Sequence, residues 1–244
     1  MIINISADAE ELGISAAKFV AHKLNDAIEA NGEARIVVST GSSQFEVLNA
    51  LSKAKVDWHK IELFHLDEYL NLPITHKASF RKYLRDRFLS LVDIKKFYAV
   101  EVDGDVNHNI EILTREIRNK PIDVGLIGIG ENAHIAFNDP PADFNIKEAY
   151  QILKLNEQCK RQQVNEGWFN SIEEVPDRAV SMSVWQIMQC KTIVSCVPHK
   201  AKSNAVFKTL SSKLTNKVPS TILKQHSDFH LYLDYNSSSE VIVF

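Results

Sequence analysis

Short apolar runs recur along this chain, each followed by a polar turn and then by a stretch with helical periodicity. That alternation restricts the fold more than any other feature. The runs are Ile36–Val38, Ile61–Leu66, Ile122–Ile127, Thr192–Val197 and Phe229–Asp234. Runs of this length, apolar almost throughout, are what strands covered on both faces require. Between them, 8–30 places Leu12, Ala16, Phe19, Val20, Leu24 and Ile28 on one helical face, with Ser6 or Asp8 to cap it and Gly32 to end it. Helical patterns also cover Phe45–Leu51, 77–90, 106–118, 181–190 and the stretch from Pro198-His199-Lys200 to Leu210, while Phe97–Val100 reads as extended. Asn156–Pro176 is polar and irregular, so it is expected to be a functional wall or lid, or else a helix whose pattern is not recognisable. The tail from Asn236 offers at most a loose strand. Strands alternating with helices, without repeats or linkers, predict one doubly wound α/β domain over residues 1–244. Its sheet is mostly parallel, with helices on both faces.

If the strands are parallel, their carboxyl ends share one rim, where ligands bind in open α/β sheets of this Rossmann-like kind. Four polar clusters fall there. Thr40-Gly41-Ser42-Ser43 offers hydroxyls and backbone N–H groups at a strand-to-helix turn, which suits a phosphate. The same turn also serves as a plain helix cap, and capping turns far outnumber anion sites. Asp67-Glu68-Tyr69 places two carboxylates at a strand end, fit for proton transfer or simply for capping. Gly128-Ile129-Gly130 leads into Asn132, His134, Asn138 and Asp139, where the glycines permit a tight turn and close approach of a ligand. Lys200 opens the fourth turn, as an anion ligand or as a solvated surface lysine.

Composition excludes several classes. A net charge of -3 without a basic run gives no footprint for nucleic acid. No apolar stretch approaches the ~20 residues of a membrane span, and the amino terminus carries no secretory signal pattern. Three cysteines without paired spacing fit a reducing cytoplasm rather than a disulfide scaffold or thiolate metal site. His226 and His230 straddle a loop and a strand, which argues against a metal pair there.

Three segments taken together resemble the glucosamine-6-phosphate deaminase/isomerase family. Thr40-Gly41-Ser42-Ser43 is similar to its phosphate turn. Leu66-Asp67-Glu68-Tyr69, followed by Leu72-Pro73, His76 and Ser79-Phe80, is similar to its Asp-Glu-Tyr segment. Gly128–Pro140 resembles its Gly-x-Gly…His loop, and the likeness continues through Ile172–Pro176, Lys200-Ala201 and Pro219–Leu223. The related 6-phosphogluconolactonases share the fold and the histidine loop. Their loop typically continues Ser-Leu-Phe-Pro and their acidic pair precedes Arg, whereas this chain has Ala136-Phe137-Asn138-Asp139-Pro140 and Asp67-Glu68-Tyr69.

The resemblance implies opening of an amino-sugar phosphate ring, proton transfer between C2 and C1, and loss of ammonia to leave a ketose phosphate. It implies Asp67 as the base, His134 as the ring-opening group, and Asn132 and Asp139 as its neighbours. Thr40, Gly41, Ser42, Ser43, Gly130 and Lys200 are implied as substrate and phosphate ligands. No cofactor or metal is implied, the partner is a small sugar phosphate, and homo-oligomerisation is left open. Four departures stand out: Asn132 where many members have Asp, Ala133 for Gly, Asp139 for Glu, and Gly167 where many carry a phosphate-binding Arg. Arg161, or Lys160, is the expected replacement for that missing cation. A lactone hydrolase and a non-catalytic sugar-phosphate sensor are the competing expectations.

Overall fold

In the computed structural model, which describes residues 1–241, the chain opens with a strand that the apolar pattern did not reveal, β1 (Ile2–Ser6). Helix α1 (Ala9–Asn31) follows, its first turn capped by the Asp8 carboxylate, which accepts the Glu11 N–H at 2.8 Å. The next elements are β2 (Ala34–Val38), α2 (Phe45–Ser52), β3 (Ile61–His65), β4 (Asp67–Tyr69) and α3 (Phe80–Leu84), then β5 (Lys96–Tyr98), α4 (Val106–Asn119) and β6 (Val124–Leu126). The second half adds β7 (Tyr150–Lys154), α5 (Glu157–Asn165), β8 (Arg178–Met182), α6 (Val184–Ile187), β9 (Thr192–Val197), α7 (Ser203–Ser211) and β10 (Phe229–Asp234).

Seven strands form one sheet in the order β1-β10-β9-β6-β2-β3-β5, and every pairing in it is parallel. Alternate side chains of each strand enter two different cores, as the two-residue strand period demands. Ile36, Val38, Leu63 and Val194 pack under α1 and α2 with Leu12, Val20, Leu24 and Leu48. Val37, Phe64, Ile193 and Val197 point the other way, toward Leu113 and Ile117 of α4, Ile187 of α6 and Val206 of α7. Helices therefore cover both faces, as the sequence predicts.

A second, three-stranded antiparallel sheet, β4-β8-β7, was not foreseen. It corrects the helix expected over 181–190. Strand β8 runs through Met182, and the helix beyond it is a single turn capped by Ser183, whose Oγ accepts the Gln186 N–H. The small sheet joins α5 and the following loop through Tyr69, Phe80, Phe137, Cys159 and Phe169.

Three other boundaries shift. The helix expected over 77–90 is α3 continued by a π-helical turn, Arg85–Leu89. The irregular region beginning at Asn156 contains α5, nine residues capped by the Asn156 side chain. Of the tail, residues 236–241 form turns rather than a strand, and 242–244 lie outside the described residues.

Candidate active site

Strands β2 and β6 lie side by side in the sheet, yet the chain runs from β2 toward one edge and from β6 toward the other. Their carboxyl ends therefore diverge into separate loops and leave a crevice between them. Ser39 closes its floor: its N–H donates to Leu126 O at 2.9 Å, and its Oγ accepts the Gly128 N–H at 3.0 Å. Into the cleft above face Thr40–Ser43, Asp67, Gly128–Gly130, His134, Gln162, Gln163, Glu166 and Lys202.

Asp67 and its neighbour separate because β4 is a strand, so successive side chains leave on opposite sides. Glu68 turns inward and is fully buried. Its carboxylate accepts the N–H groups of Tyr69, Phe80 and Arg81 and the Ser79 hydroxyl, at 2.8–3.1 Å. It ties the start of α3 to β4 and is not available for chemistry. Asp67 turns into the cleft and is only 5 % exposed. Among the described residues no protein donor reaches its carboxyl. Burial, and secondarily the Glu68 charge beside it, hold the Asp67 carboxyl well above the usual carboxylate range.

His134 is oriented by a short relay. Its Nδ1 lies 2.7 Å from Asn132 Oδ1 and 3.3 Å from Asp139 Oδ1, both acceptors, so Nδ1 carries a proton and Nε2 is the ring nitrogen left outside the relay. Asn132 Nδ2 donates to Asp139 Oδ1 at 2.9 Å, and Asp139 Oδ2 accepts the Asn156 N–H. Burial opposes ionisation of Asp139. The His134 imidazole, the Asn132 amide and the Asn156 N–H outweigh it and hold the Asp139 carboxyl below its ordinary range.

Two of the sequence departures thus fit together. Asn132 stands between the imidazole and the shorter Asp139 side chain and contacts both. Ala133 adopts φ +67, a left-handed conformation that costs a non-glycine residue about 1–2 kcal/mol. That turn folds His134 back onto Asn132. Gly130 is required by close approach, since a Cβ there would lie 2.2 Å from His134 Cε1 and 2.3 Å from Nε2.

Cys159 Sγ, His134 and Asp139 bring one ligand atom each within 4.8 Å of one another, the one such grouping among the described residues. Burial pushes the Cys159 thiol pKa well up, so the group presents a thiol beside Asp139 rather than a thiolate.

In the turn after β2, Gly41 takes φ +103, which a side chain would disfavour, and its carbonyl accepts the Tyr83 hydroxyl at 2.9 Å. Lys200, expected here, lies elsewhere. It is exposed and donates to Ser239 Oγ at 2.7 Å. Lys200–Lys202 is a 3₁₀ turn, in which residues two apart point about 120° away from each other, and Lys202 is the one that enters the cleft. Lys202 is 5 % exposed, and no hydrogen-bond or ion-pair partner reaches its ammonium among the described residues. Burial lowers its pKa, partly offset by the Glu166 and Glu131 carboxylates.

Arg161 is likewise corrected. It is exposed and pairs with Glu157 one turn earlier on the outer face of α5, at 3.3 Å. Lys160 pairs with Asp177. The face of α5 turned to the cleft presents Gln162 and Gln163 instead. Lys202, Gln162, Gln163 and Glu166 were missed in the sequence. A signal existed for Lys202, because Lys202, Ala205, Val206 and Thr209 follow the i, i+3, i+4, i+7 spacing of the buried face of α7.

Residues 7–232 match the family described as Glucosamine-6-phosphate isomerases/6-phosphogluconolactonase. The chain belongs to this family. Among its relatives are glucosamine-6-phosphate deaminases of Staphylococcus epidermidis and Clostridium acetobutylicum. The first is 30% identical over 247 residues, covering 98% of this chain and 99% of the relative. The second is 31% identical over 236 residues, covering 93% and 94%. A solved monomeric glucosamine-6-phosphate deaminase superposes with a TM-score of 0.88 at 26% identity, over 98% of this chain and 99% of that one. A 6-phosphogluconolactonase from Shewanella baltica shares the fold, with a TM-score of 0.79 at 17% identity over 96% and 97% of the two chains. Among the described residues of this chain no helix is long and apolar enough to cross a membrane.

Proposed function

We propose that this family member isomerises and deaminates an amino-sugar phosphate, converting glucosamine 6-phosphate or a close analogue, with water, to a ketose phosphate and ammonia. One observation carries the reading. Among the described residues, a carboxyl that no protein donor reaches (Asp67), an imidazole held at Nδ1 by its relay (His134) and a buried ammonium without a partner (Lys202) line the same cleft. The reaction needs those three groups. His134 Nε2 takes the C1 hydroxyl proton and returns one to the ring oxygen, which opens the ring. Asp67, once ionised, removes the C2 proton and delivers it to C1, while the aldehyde oxygen takes up the proton the amine gives up, leaving an imine at C2 and a hydroxyl on C1. Water adds to that carbon, and ammonia leaves. Every step is a proton transfer or an addition to a carbonyl-like carbon, so the chemistry asks for no redox cofactor. The deaminase relatives matched along nearly their whole length support this reading over lactone hydrolysis.

Incubation with glucosamine 6-phosphate and, separately, with 6-phosphogluconolactone tests it. Ammonia from the first is the expected result. Acid from the second alone would favour the hydrolase, and binding without either product would favour a sensor.

The phosphate assignment yields a prediction that separates the two lysines. Charge-assisted bonds to a buried group contribute roughly 1.5–3 kcal/mol. Lys202→Ala should therefore weaken binding of the phosphorylated amino sugar by about 10- to 150-fold. Lys200→Ala and Arg161→Ala should bind it as the unaltered protein does. Calorimetric titration of the three variants decides, and a loss at Lys200 equal to that at Lys202 would remove the assignment.

A further inference from the structure

Glu166 has no role in the chemistry above, yet it stands in the cleft at the phosphate turn. Its Oε2 accepts the Ser42 hydroxyl at 3.1 Å and the Trp168 indole N–H at 3.1 Å, and its Oε1 accepts the Gln162 amide at 2.7 Å. Three donors from three directions fix the carboxylate as part of the wall. The next residue is Gly167, which contributes no side chain to the subsite. Lys202 is the cation facing it, and Tyr69, Tyr83 and Cys159 are the other titratable groups around it. Lys202 and Glu166 together give this end of the cleft one positive and one negative charge.

A phosphate dianion fits such a subsite poorly. It offers only acceptors, and Glu166 is itself an acceptor that has already taken the single Ser42 proton. A phosphate ester carrying one proton resolves both conflicts. Its P–O–H can donate to Glu166, and Ser42 can then turn its own proton to an unprotonated phosphate oxygen beside Lys202. Phosphate monoesters lose their second proton near pH 6, so the singly charged form is plentiful under mildly acidic conditions.

We infer that Glu166 makes the distal subsite select the substrate's phosphate ester in its protonated, singly charged form, with Lys202 and the Thr40–Ser43 turn holding the unprotonated oxygens. Glu166 is thus a specificity-determining residue, and the inference rests on the amino-sugar phosphate reading of the same cleft.

A sulfate ester provides the probe, because it has the shape and single charge of that form but no proton to donate. Binding of glucosamine 6-phosphate, glucosamine 6-sulfate and glucosamine is measured calorimetrically at pH 6, on the unaltered protein and on Glu166→Gln, whose amide can donate to either ester. Expected is a preference of about 10- to 100-fold for phosphate over sulfate in the unaltered protein, the range of one hydrogen bond to a charged group. Glu166→Gln should close that gap. Equal binding of the two esters by the unaltered protein overturns the inference, and that ratio decides even if the variant fails to fold. A gap unchanged in a folded Glu166→Gln also overturns it, as does glucosamine binding as tightly as its 6-phosphate. Ammonia release is followed in parallel. If the ester preference holds and no ammonia forms, the subsite inference stands and the proposed reaction falls.

Discussion

Asp67→Asn is expected to lower turnover by about 10²–10⁴-fold, the usual contribution of a general base, while substrate binding persists. The same substitution should change how stability depends on pH. The Asp67 carboxyl is held well above its ordinary range by burial and by the neighbouring Glu68 charge. Between about pH 4, where the unfolded group ionises, and the higher folded value, the native state therefore binds one more proton than the unfolded chain. Stability attributable to this group is complete below pH 4 and declines as pH rises, by about 1.4 kcal/mol per unit across that window. Asn cannot ionise and removes the decline. The melting temperature of Asp67→Asn should thus gain on the unaltered protein from pH 5 to pH 7.5, while its activity is lost. Parallel melting curves at the two pH values would show that Asp67 is not the buried, partnerless acid described here. In the active protein, kcat/KM should rise with pH through an apparent value above the ordinary carboxylate range, since only ionised Asp67 can take the C2 proton.

The expense of keeping such a group explains the architecture of the small sheet around it. The register β4-β8 fixes Asp67 opposite Ser181, and Glu68, on the other side of the strand, gathers three backbone N–H groups. A three-residue strand of the sequence Asp-Glu-Tyr has no apolar alternation to betray it, which is why the reading of the chain stopped at two carboxylates. The large parallel strands were legible because their side chains enter two cores and are apolar on both faces. Helix α1 was legible for the opposite reason, a clean stripe with Asp8 and Gly32 at its ends. Helix α5 was hidden because the face it buries is polar. Cys159, Lys160, Gln162 and Gln163 are its buried residues, and two of them line the cleft.

The candidate site divides along the same line. Asp67, His134 and the Thr40–Ser43 turn, which line the cleft, and Asn132 and Asp139, which hold the imidazole, are legible as candidates because they sit in short motifs at strand ends. Lys200 holds the motif position, and Lys202, which the sequence reading does not consider, shares the spacing of Ala205, Val206 and Thr209 on the buried side. Arg161 was chosen by nearness in sequence, and a helix of 3.6 residues per turn carried it to the outer face. Glu166 left no trace in any pattern, because an acidic residue in a polar segment is ordinary. Only its bond to Ser42 across 124 residues reveals it.

Gly130→Ala should silence the protein almost as thoroughly as loss of the histidine, and without touching any polar group. A Cβ at position 130 would sit 2.2 Å from His134 Cε1 and 2.3 Å from Nε2, so the imidazole must move. Its Nδ1 side is held by Asn132 at 2.7 Å, and Asn132 is held in turn by Asp139 at 2.9 Å, so moving the ring breaks the relay that fixes its tautomer. Displacement of a catalytic group by about 1 Å can cost 10²-fold in turnover. The expected result is a loss of about that size, with the melting temperature and the affinity for phosphorylated amino sugar largely kept. His134→Ala should lose about 10²–10⁴-fold by removing the proposed ring-opening group itself. The double variant separates a catalytic cause from a structural one. If Gly130 acts only by leaving room for the imidazole, adding Gly130→Ala to His134→Ala costs nothing further, because groups acting through one another do not add. If the two losses multiply instead, the glycine serves the loop rather than the histidine, and the placement of His134 Nε2 in the cleft no longer rests on it.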